Sequence, residues 1–317
     1  MAQLVLVVAV NLTVRDYGAF QAEEKLLVFD KQKVYALRIE DGKDSVVLHK
    51  QEGKWLRPLP EIGDFPANQG RIERLLDKLT ALEKGWPVAT TSGAVQRFKV
   101  AEDQFERKLT LYSKEEILAQ LYAGTSPGFR KVYVRPMDEE SFFSVEFNTW
   151  EASTKVDGWI DKEILNLEAD ELERIEMPGF VLQREEDRLQ LSELKENEES
   201  NMEEVRLLLD KLTGLRIQSL LGTEAKAEYR QDQPDLEIKI VLKDGQALSY
   251  RFSKPEEAPY YVLKRSDLNH YFKIADFTAK PLLDMAREKL VQVKNKGKPT
   301  EIFDEEKQSA MIQEATE

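Results

Sequence analysis

The hexapeptide Leu-Leu-Asp-Lys-Leu-Thr occurs twice in this chain, at Leu75–Thr80 and at Leu208–Thr213, a shift of 133. At that same shift Ile72, Leu75, Leu76, Leu79 and Leu82 fall on Val205, Leu208, Leu209, Leu212 and Leu215, and Asn68 falls on Asn201. Spacings of three and four place each set of five on one helical face. Burying such a stripe contributes about 1.5–3 kcal/mol per side chain, which makes it a packing face and not a cofactor box. At 317 residues the chain has room for two domains of ordinary size.

The flanks repeat with small drifts in register. Val46-Val47-Leu48, the turn Glu52-Gly53 and Trp55 resemble Phe180-Val181-Leu182, a charged turn and Leu189. Phe105–Leu111 matches Leu236–Leu242, both alternating as half-buried strands do. Tyr133-Val134 parallels Tyr261-Val262, and Phe142–Phe147 parallels Tyr271–Phe277. The expected fold is therefore α+β: a tandem repeat of two similar units, each a mostly antiparallel sheet with one main amphipathic helix. The pattern divides the chain into a segment 1–25, repeats at 26–164 and 165–292, and a polar tail 293–317. Pro66 suits the first turn of one helix, and Ser200 with Glu203 reads as a capping box for the other. Gly85 followed by Pro87 marks the end of the first. Short helical segments near Trp159–Leu165 and Pro281–Val291 are expected to close the two repeats.

Composition narrows the function classes. Net charge is −13, from 59 acidic and 46 basic residues, a field that repels phosphate backbones, so no nucleic-acid partner is expected. The chain has no cysteine, which removes disulfides, thiolate metal sites and cysteine nucleophiles. Its two histidines, His49 and His270, lie in different repeats without ligand-like spacing, so no metal site is expected. Phosphate-cradling glycine loops and the HExxH and GxSxG signatures are absent from the sequence. No cofactor is expected, and a non-enzymatic role is. Asp138-Glu139-Glu140 and the pair Asp157/Asp161 have the residue type of acid–base chemistry, but acidic residues beside turns are ordinarily surface charge.

Two polar loops in the first repeat are the candidate ligand-binding site. One carries Thr90, Thr91 and Ser92 and leads to Arg97; the other carries Thr125, Ser126, Arg130 and Lys131 around Pro127-Gly128, read as a type II turn. Together they would present hydroxyls and cations to a glycan or a lipid headgroup; read separately, they are ordinary turns beside strands. The second repeat has Leu220–Thr223 and Pro255–Pro259 instead. Trp55, Trp86, Trp150 and Trp159 all fall in the first repeat, as core filling or as an exposed platform.

Leu4–Val10 is apolar, but the uncharged stretch Met1–Thr13 is only about two-thirds of a membrane span. It reads either as an edge strand or as the last turns of an anchor helix.

Trp55-Leu56, the text Gly85-Trp86-Pro87-Val88-Ala89-Thr90 and the run Gly124–Val132 resemble the domain-of-unknown-function 4340 family, as does the opening Leu26–Asp30. The resemblance spans nearly the whole chain. It implies a bacterial, extracytoplasmic domain on the periplasmic side of the inner membrane, usually tethered by an N-terminal helix. It also implies an accessory or scaffold role beside the subunits of an ABC-type membrane transporter, acting by binding, with no catalytic residues to carry over.

Overall fold

The computed structural model describes residues 24–60 and 62–294. The apolar start and the tail beyond Lys294 lie outside these residues, and with them the question of an anchor. Chain contacts separate two bodies, one through Ile164 together with Ile217–Thr223, the other comprising Leu165–Arg216 and the chain from Glu224. The protein is α+β, with two eight-stranded sheets whose described pairings are all antiparallel.

The first body opens with β1 (Ala36–Glu40), β2 (Ser45–Gln51), β3 (Lys54–Leu59) and β4 (Gly63–Pro66). Helices α1 (Gln69–Ala81) and α2 (Ser92–Arg97) follow, then β5 (Arg107–Tyr112), β6 (Ile117–Ala123), β7 (Lys131–Pro136) and β8 (Phe143–Glu146). The sheet order is β4-β3-β2-β1-β5-β6-β7-β8. Both halves are meanders, and the step from β1 to β5 accommodates the helices. Strand alternation sends Leu37, Ile39, Val46, Leu48, Leu109, Leu111, Leu121 and Val134 to one face. There they meet Ile72, Leu75, Leu76 and Leu79 of α1 in a single core. Val100, Tyr122 and Phe142 make a separate, smaller cluster, closed by Phe98, Phe105, Tyr133 and residues of α2.

The second body runs β9 (Leu172–Met177), β10 (Phe180–Glu185), β11 (Arg188–Leu191), β12 (Glu198–Ser200) and α3 (Met202–Thr213). Chain contacts group β13 (Ser219–Gly222) with the first body; the second continues with β14 (Leu236–Leu242), β15 (Ala247–Ser253), β16 (Tyr260–Arg265), β17 (Tyr271–Ala275), α4 (Asp276–Leu283) and β18 (Val291–Val293). Within this body seven strands of the second eight-stranded sheet run β11-β10-β9-β14-β15-β16-β17, with β12 and β18 forming a separate pair. Val205, Leu208 and Leu212 of α3 are buried, as are Ile175, Leu182, Ile240 and Phe252 of the sheet.

Several local expectations give way to the tertiary structure. Both main helices are capped by asparagine: Asn68 accepts from the N–H of Arg71 at 2.8 Å, and Asn201 from that of Glu204 at 3.4 Å. Pro66 instead ends β4, and Ser200 belongs to β12, where its hydroxyl accepts from the Leu191 N–H. Helix α1 stops at Ala81, ahead of Gly85, because residues 82–84 turn extended and pair with 24–26: Leu26 N–H donates to Leu82 and Lys84 N–H to Glu24. Leu209 is only half-buried, since α3 is rotated to point Leu208 inward. Residues 159–165 form turns around an isolated bridge, not a helix. Pro281 sits inside α4, and the end of its expected segment is a 3-10 turn and a strand.

Candidate functional site

The second polar loop meets the C-terminal end of α2, the helix that begins at Ser92 of the first. Thr125 donates its N–H to the Phe98 carbonyl at 2.9 Å, directly after α2, which follows the Thr90–Ser92 loop. A side chain at Gly124 would lie 2.0 Å from that same carbonyl, so glycine permits this contact of two backbones. Ser126 Oγ donates to the Gly128 and Lys131 carbonyls at 2.7 and 2.6 Å, locking the loop from within. The left-handed residue is Arg130, with φ 58°; Gly128 has no positive φ, so the expected turn is displaced by two residues.

The 125–131 loop is thus an exposed apex fastened to the end of α2. Thr90, Thr91, Ser92, Arg97, Ser126, Arg130 and Lys131 are exposed, and Thr125 is half-buried. Arg130 lies over the Phe129 ring at 4.8 Å, and Phe129 itself is 86% exposed. Arg97 stacks on Phe98 at 5.5 Å.

A concave site lies elsewhere in the first body, where the sequence does not point to it. A cleft of about 620 Å³ is lined by Asp44, Ser45, Arg71, Thr154, Lys155, Asp157 and Lys162, among others. Its wall is built by a contact across 113 residues, Thr154 Oγ1 donating to Asp41 Oδ2 at 2.7 Å. Asp41 Oδ1 accepts from the N–H groups of Lys43 and Asp44. Burial alone would raise this carboxyl, but those hydrogen bonds, with Arg107 nearby, hold it at about 2. Arg71 lies over the Trp159 ring at 4.5 Å and donates one N–H to the Trp150 carbonyl at 3.3 Å. Burial, then the neighbouring Arg74, lowers its pKa.

The first body also holds a buried arginine, Arg57, 5% exposed. Alternation along β3 puts it on the same face as Trp55, whose backbone is gripped by Gln69 at the start of α1. Its guanidinium donates to the Val47 carbonyl at 3.3 Å, and its Nε has no partner. Burial lowers its pKa, opposed by the charge of Asp157 in the cleft wall.

The four tryptophans divide. Trp55 and Trp159 are core residues, whereas Trp86 and Trp150 are 55% and 70% exposed. Of the carboxylates noted in the sequence, Glu139 pairs with Lys84 at 2.5 Å and Asp161 accepts from the Glu163 N–H. Among the described residues no group of three or more His, Asp or Glu side chains is placed to hold a metal ion. No described helix is long and apolar enough to cross a membrane.

No curated protein and no solved structure matches this chain. A family model does, over residues 55–234, a stretch that includes β3, both polar loops, most of the cleft wall and α3. This chain belongs to the family described as a domain of unknown function, DUF4340.

Proposed function

We propose that this protein is a non-enzymatic accessory or scaffold of an ABC-type membrane transport system, facing the periplasm and acting by contact. The observation that carries the reading is the Phe129–Arg130 apex. An aromatic ring 86% exposed, on a loop locked by its own serine and by the Gly124–Phe98 contact, is costly in water and suited to a partner protein. The test is affinity capture of the tagged protein from detergent-solubilised membranes of its host, followed by mass spectrometry. Permease and ATPase subunits should be recovered with the native protein and lost with Phe129→Ala. Recovery of the protein without transporter subunits would overturn the reading.

A second reading, a module for a glycan or lipid headgroup at the same loops, draws on Arg97 and Arg130. Each stacks on a ring and makes no ion pair among the described residues. Replacing both by alanine should then abolish glycan or vesicle binding without lowering the melting temperature.

The two bodies are, in this proposal, diverged copies of one unit. Three correspondences support it. Apart from the end strands β4 and β13, the orders β3-β2-β1-β5-β6-β7-β8 and β11-β10-β9-β14-β15-β16-β17 follow the same meander–step–meander path. The helix caps Asn68 and Asn201 occupy the same place in it. Left-handed Lys99 and Arg230 each follow an aromatic residue, Phe98 and Tyr229, that covers the outer side of its sheet.

A further inference from the structure

The first body contains a charged residue that its own fold leaves unbalanced. Of the two buried arginines, Arg265 is satisfied: it binds Asp267 at 2.7 and 3.0 Å and donates to the Leu165 carbonyl and the Tyr250 hydroxyl. Arg57, equally buried, has one long bond to a carbonyl and an unpartnered Nε. An unpaired buried guanidinium costs stability, and a chain that retains one leaves its positive charge uncompensated in a low-dielectric interior. That charge acts on Asp157, one of the residues that line the cleft of Arg71.

The cleft itself carries Arg71, Lys155 and Lys162, against Asp44 and Asp157, and none of these five makes an ion pair among the described residues. Gly158 borders the guanidinium, a Cβ there lying at ordinary contact distance, 3.4 Å from Arg71 Nη1. Because Arg71 is held flat on Trp159 with one N–H fixed on Trp150, its remaining donors are pre-oriented. Ser45 adds a hydroxyl at the rim.

We propose that this cleft binds a phosphate monoester group, with Arg71 as the forked donor, Lys155 and Lys162 as flanking charges, and Arg57 adding a buried positive potential. Three cations lining one cleft match a group carrying two negative charges, and they do so in a chain whose net charge of −13 repels anions elsewhere. The site is separate from the Phe129 apex, and the proposal does not depend on the transport role.

The test is titration of the full chain with inorganic phosphate, followed by calorimetry and by amide NMR shifts. Saturable binding is expected, weakened at least tenfold by Arg71→Gln and strengthened by Asp157→Asn, while Arg97→Ala with Arg130→Ala leaves it unchanged. Arg57→Met should raise the melting temperature and weaken phosphate binding together, a pairing that a purely structural arginine would not produce. Should Arg71→Gln fail to fold, Lys155→Gln with Lys162→Gln reads the same site from the surface. Absence of saturable binding, or equal affinity in the folded Arg71→Gln or double-lysine variant, would overturn the proposal. Vesicles of phosphatidylcholine with and without phosphatidic acid identify the source. Phosphate-displaceable binding to the acidic vesicles assigns a lipid headgroup, and phosphate binding without vesicle binding assigns a soluble ester.

Discussion

Asn68 donates its backbone N–H to the Trp159 carbonyl at 2.8 Å while its side chain caps α1 through the Arg71 N–H. One residue therefore starts the helix and fastens the segment that closes the first body. Asn201 holds the corresponding position in the second, its N–H donating to the Leu290 carbonyl at 2.8 Å. The backbone bond survives a change of side chain, so Asn68→Ala isolates the cap. It should cost about 1 kcal/mol in urea unfolding, with Asn68→Asp retaining most of the stability.

The rotation of α3 separates two adjacent leucines. Leu208 is fully buried and Leu209 only half-buried. Leu208→Asp places a carboxylate in the core and should destabilise the second body by more than about 4 kcal/mol. Leu209→Asp should cost no more than about 1–2 kcal/mol, a difference readable in thermal melts. Equal losses would mean the packing face is assigned wrongly.

Gly124 separates loop rigidity from loop chemistry. A Cβ there meets the Phe98 carbonyl at 2.0 Å and that of Lys99 at 2.5 Å, and both atoms are backbone. Gly124→Ala should cost roughly 1–3 kcal/mol and raise hydrogen exchange at residues 124–131, with the main core undisturbed.

The acid limb of stability should respond to Asp41. Its carboxyl titrates at about 2 in the folded protein, below the ordinary carboxylate value of about 3.9 in the unfolded chain. The ionised form is thus favoured by folding. The contribution is fully present above about pH 4 and is lost as pH falls through about 2. Asp41→Asn should flatten the pH dependence of the urea midpoint in that window and leave its slope above pH 5 unchanged.

Much of this fold is legible as text. The paired stripes on α1 and α3, the alternation in Leu236–Leu242 and the hairpin at Glu52-Gly53, where both residues take positive φ, follow from interactions over a few positions. The caps are not read this way: Asn68 and Asn201 share the 133-residue offset, but Pro66 and the Ser200–Glu203 pair nearby carry the more familiar helix-start signals.

What the amino-acid sequence determined alone is that the two longest periodic segments are helices and the alternating runs strands, because propensity and periodicity are local. Tertiary structure decided the rest. Pairing of 82–84 with 24–26 ended α1 early, because those backbone groups found partners some 60 residues away. The Gly124 contact fastened the 125–131 loop to the end of α2, a meeting of two backbones distant in sequence that no local signal announces. The cleft joins residues 44, 71 and 155–162, and its wall hangs on the Asp41–Thr154 bond across 113 positions. Arg57 shows the division most plainly. In the text it is one charged residue in a strand, ordinarily assigned to solvent; only the tertiary packing desolvates it, and desolvation is what makes its charge consequential.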